Sequence, residues 1–582
     1  MRRKTKIVCT IGPASQSKEV LEKLIRAGMN VARLNMAHGS HDYHRQTVSN
    51  IREVSLQLGI PVAILMDIKG PEVRIGEMGL EKVVLEEGQN YILTSQQIIG
   101  DKEKVSVNYP ALVKDIVVGE QVLIDDGLIR LEVKDKNNTD IICQVVVGGE
   151  LKSHKGVNLP GTVINLPAMT EKDKRDLTLA IEEKLDFIAA SFIQKAADVL
   201  TIRAFLEEHN WNMDIISKIE SREGVKNIEE IIRVSDGIMV ARGDLGVQIP
   251  TEEVPLVQKM IINRCNQAGK PVITATQMLD SMIRNPMPTR AEATDVANAI
   301  FDGTDAIMLS GETAAGKYPV EAVQTMDKIA RKTEEALPYD DMLEKQFIGR
   351  TVPDAISRAT CQTARDLGVS TILSATSSGH TAQMVSKHRP KALIIAITPQ
   401  ERIARKMQLI WGVYAVKVAY TESTDEMMKV AVEGALRSGL VKNGEMVVIT
   451  AGVPVGTPGT TNLLKVQIIG EILARGVGIG NRAVSGKVKV AITPEEALDK
   501  VEEGDILVTI ETDIDFMPIL SKVKAIVTEE GGLTSHAAIV GIERRIPVIV
   551  SAADVTRLLK DNTVVTIDGQ RGLIYSGETH VL

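Results

Sequence analysis

Lys218 and Glu220 stand two residues apart in the β-branched run 214–220, so on a strand their side chains leave the same face. Asp244, at the end of the next such run, adds a second carboxylate, and two carboxylates beside a lysine make a site for a hard cation. With no histidine or cysteine close by, carboxylate oxygens favour Mg2+ or Mn2+ over zinc. Mg2+ accepts one or two carboxylates and completes its shell with water and substrate oxygens, which implies an anionic substrate. Arg33 and Arg74 join Lys218 as cations able to offset the charge of a transferring phosphoryl group, a reaction catalysed mainly by positioning and electrostatics. Arg33, Asn35, Asp67, Thr276 and Gln277 close further runs of the same type. A structural ion pair explains any one of these residues alone; a shared site explains them together.

Residues so far apart in sequence meet only if the fold gathers them. Eight β-branched runs, 6–12, 30–35, 61–67, 187–192, 214–220, 237–244, 271–277 and 306–312, each precede an amphipathic stretch. Continuous apolar strands need cover on both faces, and eight strand–helix units close into a (β/α)8 TIM barrel whose active site lies at the C-terminal ends of the strands. The expected division is a catalytic barrel over 1–70 and 168–345, interrupted after its third strand by a β-rich, β-barrel-like domain over 71–167. That insertion alternates as half-buried strands do, with Asp126-Gly127 as a turn signal, and it hangs over the catalytic face as a lid. Runs 371–376, 393–398 and 446–452 predict a separate α/β domain over 346–475, and 476–582 forms a further α/β unit.

The 582 residues carry 76 acidic and 68 basic side chains, a net charge of −8 that gives no general attraction to nucleic acid or an anionic membrane. No window reaches the roughly 18 unbroken apolar residues of a membrane span. Met1-Arg2-Arg3-Lys4 is basic, but the apolar stretch behind it is too short for a signal peptide, and Cys9, Cys143, Cys265 and Cys361 lack any CxxC spacing. A cytoplasmic, reduced protein is expected. No GxxxxGK[ST] loop and no kinase-type glycine loop is present, so residue types and spacing alone lead to metal-assisted phosphate chemistry and stop there.

The segments that hold these residues resemble the pyruvate kinases: Asn30-Val-Ala-Arg-Leu-Asn35, Asp67-Ile-Lys-Gly-Pro-Glu-Val-Arg74, Lys218-Ile-Glu220, Met239-Val-Ala-Arg-Gly-Asp-Leu-Gly246 and Ile273-Thr-Ala-Thr-Gln-Met-Leu-Asp280, with Asn285 to Asn298 beyond them. Five motifs in the same order, each at a barrel strand end, place 1–475 within that resemblance. It implies that phosphoenolpyruvate gives its phosphoryl group to ADP in the final step of glycolysis, with Mg2+ on Glu220 and Asp244. It further implies that Lys218 stabilises the phosphoryl in flight, that Arg33 and Arg74 steady the phosphates, and that Gly243 and Thr276 meet the substrate. Asn35, His38, Arg74 and Lys155, the last in Lys152-Ser-His-Lys-Gly-Val-Asn-Leu-Pro160, are then nucleotide contacts. A solvated hinge charge is the other reading of Lys155.

The family's K+ site corresponds to Asn35, Ala37, Asp67 and the Ile68 carbonyl; Ala37 lacks the family's serine hydroxyl, so a weakened K+ site is expected. Glu72 matches the K+-requiring members, whose K+-independent relatives carry lysine there. A homotetramer is implied by resemblance alone.

Thr376-Ser-Ser-Gly-His-Thr381, between a strand and a helix, has the hydroxyls and helix N-terminus of a phosphate nest, although an ordinary capped turn looks the same. Similar loops bind sugar-phosphate activators in the family, so a phosphorylated effector, a sugar phosphate or nucleoside monophosphate, is expected. Glu530-Gly-Gly-Leu-Thr-Ser-His-Ala-Ala-Ile-Val540 is similar to the swivelling phosphohistidine domain of dikinases, with His536 at the phosphorylated position. Without an ATP-grasp partner, and with Ile542 and Arg545 departing from the motif, a structural or regulatory appendage is the preferred reading. His38, His41 and His44 read as a helix start rather than a metal cluster. The rivals are a dikinase using His536 as carrier and a non-catalytic sensor; intact Lys218, Glu220, Asp244 and Thr276 speak against the latter.

Overall fold

The computed structural model describes residues 2–162, 166–345, 349, 351–454, 459–470 and 472–578. The chain forms two compact units, Met1–Phe347 with Gln400–Ala415, and Ile348–Pro399 with Val416–Leu582. The boundary expected at 345/346 adjoins 346–348, which lie outside the described residues.

In the first unit eight parallel strands, Lys6–Thr10, Val31–Asn35, Ala63–Ile68, Phe187–Ala190, Asp214–Ile219, Gly237–Ala241, Val272–Ala275 and Ala306–Leu309, close into a barrel. Nearly every residue of these strands is buried, which is why they read as continuous apolar runs rather than alternating ones. Register holds the polar ends level: Asn35 lies opposite Asp67, and Lys218 opposite Met239 of the next strand. Serine and threonine caps start several of the outer helices; the Ser40 hydroxyl accepts from Tyr43 N at 3.2 Å, and Thr170 and Thr289 each form a capping box.

The barrel interior is a packed layer that includes Leu65, Phe187, Ile216, Met239 and Met308, and it contains one residue from far along the chain, Leu409. The segment Gln400–Ala415 carries it there. Arg405 Nε meets Asp186 at 2.8 Å, Lys406 Nζ meets Asp214 at 2.5 Å, and Lys6 Nζ donates to the Val413 carbonyl at 2.5 Å. Burial pulls the Lys6 ammonium down to about 7. The runs expected to end in Asp244, Gln277 and Glu312 are shorter than predicted: the sixth strand stops at Ala241, the seventh at Ala275 and the eighth at Leu309. In each case the chain turns at once into a helix or a left-handed turn, which releases polar side chains at the mouth.

After the third strand comes a six-stranded sheet and a two-stranded ribbon around their own core, with Tyr91, Leu93, Val122, Leu131 and Ile141 fully buried. Gln121–Ile124 and Ile129–Lys136 pair antiparallel through the Asp126-Gly127 turn, where Asp125, Asp126 and Gly127 take φ of 54°, 54° and 86°. Two aspartates and a glycine are residues that tolerate such a turn.

The second unit holds a five-stranded sheet containing Thr371–Ala375, Leu393–Thr398 and Met446–Gly452 as parallel neighbours, with Thr461–Ile468 antiparallel to the last. It also holds an eight-stranded mixed sheet from Ile472–Arg475 to Leu573–Ser576. All four cysteines are buried and none forms a disulfide. Among the described residues no helix is long and apolar enough to cross a membrane.

Candidate functional site

The C-terminal ends of the second to fifth barrel strands form one buried ion network. Lys218 Nζ lies 2.9 Å from Glu220 Oε1, 3.3 Å from Asp67 Oδ1 and 2.7 Å from Ser191 Oγ. Arg33 Nε donates to Asp67 Oδ2 at 2.7 Å and its Nη1 to Thr10 Oγ1 at 2.9 Å, while Phe192 N donates to Glu220 Oε2 at 2.7 Å. Burial alone would lower the Lys218 ammonium; Asp67 and Glu220 outweigh it and hold the charge firmly. Burial would raise Asp67, but Arg33 and Lys218 bring it below the usual carboxylate range. Glu220, with a side chain only 1% exposed, is pushed up to about 7 by burial and by the charge of Asp244, against the pull of Lys218.

Asp244 sits in the first turn of the helix Arg242–Gln248, one residue after Gly243, beside the Glu220 carboxylate. It opens onto the cleft, so water screens it more than Glu220. Gly243 N donates to Thr276 Oγ1 at 2.8 Å, and the Thr276 hydroxyl donates to the Ala275 carbonyl at 2.7 Å. Thr276 and Gln277 both take left-handed backbone, φ 66° and 53°. For a β-branched residue this is strain of about 1–3 kcal/mol, kept only where surroundings impose it. Arg242 imposes it: Nη2 donates to the Thr276 carbonyl at 2.7 Å, Nε to the Ala275 carbonyl at 3.3 Å, and Nη1 pairs with Asp295 at 2.7 Å.

A cleft of about 280 Å³ runs from Asp244 to the inserted β-rich part, and Glu72, Arg74, Asp125, Asp126 and Lys155 line it. Arg74 Nε lies 2.5 Å from Glu72 and its Nη1 2.6 Å from the His154 carbonyl; Lys155 Nζ meets Asp125 at 2.8 Å. Arg33, Asp67, Lys218, Glu220, Asp244, Gly243 and Thr276 thus lie around one mouth, with Arg74 and Lys155 across the cleft. Asn35 Oδ1 accepts from Ala37 N at 3.1 Å, and Ala37 itself is exposed. The three histidines do not converge: the His41 ring meets Asp176, the His44 ring meets the His38 carbonyl, each at 2.8 Å, and His38 is exposed.

In the second unit, Thr376, Ser377, Ser378 and Thr381 line a small cavity with Pro399, Val418, Tyr420 and Met427; Gly379 and His380 are not among its walls. Thr376 Oγ1 accepts from Gly379 N at 2.9 Å. His536 opens the helix His536–Arg544, its Nδ1 3.0 Å from Thr512 Oγ1.

Arg242, Asp295 and Ser191 were not singled out from sequence. Ser191 directly follows the fourth strand, so the strand-end rule applied to that run would have found it. The roles of Arg242 and Asp295 depend on a left-handed turn that no residue type announces.

A closed (β/α)8 barrel with a buried lysine between two carboxylates, a second cation on one of them and further cations across a cleft is a phosphotransferase of the kinase type. The family model "Pyruvate kinase, barrel domain" matches residues 2–323 and "Pyruvate kinase, alpha/beta domain" matches 354–467, so the chain belongs to the pyruvate kinase family. Residues 501–572 match "PEP-utilising enzyme, mobile domain". Pyruvate kinases of Geobacillus stearothermophilus and Bacillus licheniformis are 55% and 53% identical over the full length of both chains. A crystal structure of a pyruvate kinase from Cryptosporidium parvum aligns with a TM-score of 0.77 at 39% identity, covering 80% of this chain and 96% of that one.

Proposed function

We propose that the protein transfers the phosphoryl group of phosphoenolpyruvate to ADP, yielding pyruvate and ATP in the last step of glycolysis, in the cytoplasm and as a homotetramer. The observation that carries this reading is Lys218, held 2.9 Å from Glu220 and 3.3 Å from Asp67 at the mouth of the barrel. Domains over 1–70 with 168–345, 71–167, 346–475 and 476–582 divide the work as catalytic barrel, lid, effector domain and appendage.

The donor set fits a hard divalent cation: two adjacent carboxylates with no histidine or cysteine beside them. Glu220 and Asp244 would hold Mg2+ or Mn2+; when bound, the ion neutralises charge on the phosphoryl and enolate oxygens. Lys218 places its ammonium, fixed by Asp67 and Ser191, against the phosphoryl group in transit, while Arg33, Arg74 and Lys155 hold phosphate oxygens. Asn35 and His38 remain proposed nucleotide contacts. The Thr276 hydroxyl has its proton on the Ala275 carbonyl and its oxygen on Gly243 N, so it shapes the substrate end of the site and is not itself set to donate to the enolate. Water is then the proton's route. A coupled assay for ATP from phosphoenolpyruvate and ADP tests the reading; it fails if no ATP forms with Mg2+, and the dikinase reading takes its place only if acid-labile phosphate then accumulates on His536.

Asn35, Asp67 and the Ile68 carbonyl supply oxygens for K+, and Glu72 keeps the site anionic. Ala37 supplies none, and Arg33 with Lys218 already occupies Asp67. Activity is expected to rise with K+, with half-saturation moved to at least several-fold lower K+ in Ala37→Ser; equal rates in K+-free and K+-containing buffer remove K+ from the mechanism. The cavity at Thr376 to Thr381 suits a phosphorylated effector, its hydroxyls and backbone for the phosphate and Tyr420 for a ring or sugar face.

A further inference from the structure

The sixth and seventh barrel strands run side by side with Ala241 opposite Ala275, so the residues that follow them, Arg242 and Thr276, leave the barrel together. Their paths then diverge. Arg242 opens the helix that carries Gly243 and Asp244, while Thr276 and Gln277 turn left-handed. The Arg242 side chain, only 11% exposed, crosses from one path to the other. Its Nη2 donates to the Thr276 carbonyl at 2.7 Å and its Nε to the Ala275 carbonyl at 3.3 Å, with Met278 Sδ 2.8 Å from Nη2. Its Nη1 donates to Asp295 Oδ1 at 2.7 Å and lies 3.4 Å from Gln258 Oε1. Asp295 belongs to the helix Arg290–Phe301, so a third element holds the guanidinium. The two paths also touch directly: Gly243 N donates to Thr276 Oγ1 at 2.8 Å, and a methyl group placed on Gly243 would stand 3.5 Å from that oxygen. The Thr276 hydroxyl keeps its direction only while its own backbone stays left-handed, a conformation that a β-branched residue leaves unless it is held. A planar fork with several N–H directions holds it, a shape that a lysine ammonium does not copy.

We infer that Arg242 and Asp295 are positioning residues for the proton-transfer half of the reaction: the pair fixes the Thr276 turn and, through it, the face on which the enolate is protonated. This rests on the reading that the protein makes pyruvate from phosphoenolpyruvate. Phosphoryl transfer is served by Lys218 and Arg33, which are fixed by Glu220, Asp67, Ser191 and Thr10 and not by Thr276. Protonation is a separate step. A proton from water forms a bond to the terminal carbon of the enolate with the electron pair of its C–C double bond, and the enolate oxygen becomes the carbonyl oxygen. Run backwards, the step breaks one methyl C–H bond of pyruvate and returns the proton to water. In D2O, repeated passage therefore replaces methyl protons with deuterons.

Two rates measured on the full chain separate the halves: single-turnover ATP formation from phosphoenolpyruvate and ADP by rapid quench, and deuterium uptake into the pyruvate methyl group, followed by NMR in D2O with ATP and Mg2+. Arg242→Lys is expected to keep ATP formation within about fivefold of the parent and to lower deuterium uptake by about a hundredfold, the effect of a misplacement of about 1 Å. Asp295→Asn keeps the shape of that side chain and removes its charge; it is expected to lower uptake by about tenfold, the weight of one weakened charge-assisted hydrogen bond, with ATP formation within about twofold. Amide exchange at Gly243, read without substrate, is expected to quicken in both variants, because its acceptor is the Thr276 hydroxyl. Loss of both rates by the same factor, or unchanged Gly243 exchange, overturns the inference; should Arg242→Lys fail to fold, Asp295→Asn decides alone. If the parent forms ATP and the folded variants keep its ratio of the two rates, the positioning role is wrong and the kinase reading stands. If the parent forms no ATP, the kinase reading fails and the positioning role with it.

Discussion

Lys218→Met is expected to lower kcat by about a thousandfold while KM for phosphoenolpyruvate changes by less than about fivefold. The ammonium is fixed by Glu220, Asp67 and Ser191 before any substrate arrives, so its charge costs no reorganisation when the phosphoryl group passes. An interaction made mainly with the moving group is lost from kcat and from kcat/KM alike, and substrate binding keeps Arg33. The same change leaves two buried carboxylates short of a partner, a loss of about 3–5 kcal/mol for a buried pair broken on one side. Thermal unfolding therefore accompanies the kinetics, and Lys218→Arg serves as the second variant: it keeps the charge, but a planar fork does not fit a slot built for a point charge. A folded Lys218→Met protein with kcat within tenfold of the parent would end the proposal for Lys218.

Glu220→Gln is expected to be as severe, by a different route. Glu220 accepts from Phe192 N and Lys218 and lies against Asp244, and burial with that neighbouring charge raises its carboxyl to about 7. A raised carboxyl is held protonated by the fold, so its contribution to stability is present below the ordinary glutamate range and is lost as pH rises through about 7. Mg2+ held as proposed would take the ionised form. Each ion bound below that pH must displace a proton, so apparent Mg2+ affinity is expected to fall by about tenfold per pH unit beneath 7. The shift in Tm caused by Mg2+ should accordingly be larger at pH 8 than at pH 6. In Glu220→Gln the affinity is expected to drop by about a hundredfold or more and to lose this pH dependence; calorimetry of the parent showing equal Mg2+ affinity at pH 6 and 8 would contradict it.

The barrel was legible because burial on both faces writes each strand as an unbroken apolar run, and because polar residues interrupt those runs only where they reach the mouth. Lys218 and Glu220 could be paired on spacing alone, since a strand fixes which side each faces. The other contacts were not local. Thr276 and Gln277 look like the end of a strand in sequence, and only the grip of Arg242 on two carbonyls puts them in a left-handed turn. Asp244 reads as a strand terminus and is a helix residue, because a new helix, Arg242–Gln248, begins directly after Ala241. Arg74 and Lys155 could be listed as cations from motif resemblance, yet their engagement by Glu72 and Asp125 depends on pairing inside the inserted sheet. Nothing in residues 400–415 advertises that they belong with the first strands, which lie some 400 positions earlier.

That last return of the chain has a consequence for how the protein can be taken apart. Leu409 fills the interior layer of the barrel, and Arg405, Lys406 and the Val413 carbonyl bind residues of its strands or their flanks. A gene fragment ending after the eighth strand–helix unit would encode all the chemistry and yet produce a hollow-bottomed cylinder, with Asp214 and Lys6 stripped of these partners and Asp186 left with Arg52 alone. Modularity here follows the packing and not the reading frame: any shuffling of this catalytic half into another protein must carry a second, distant stretch along with it.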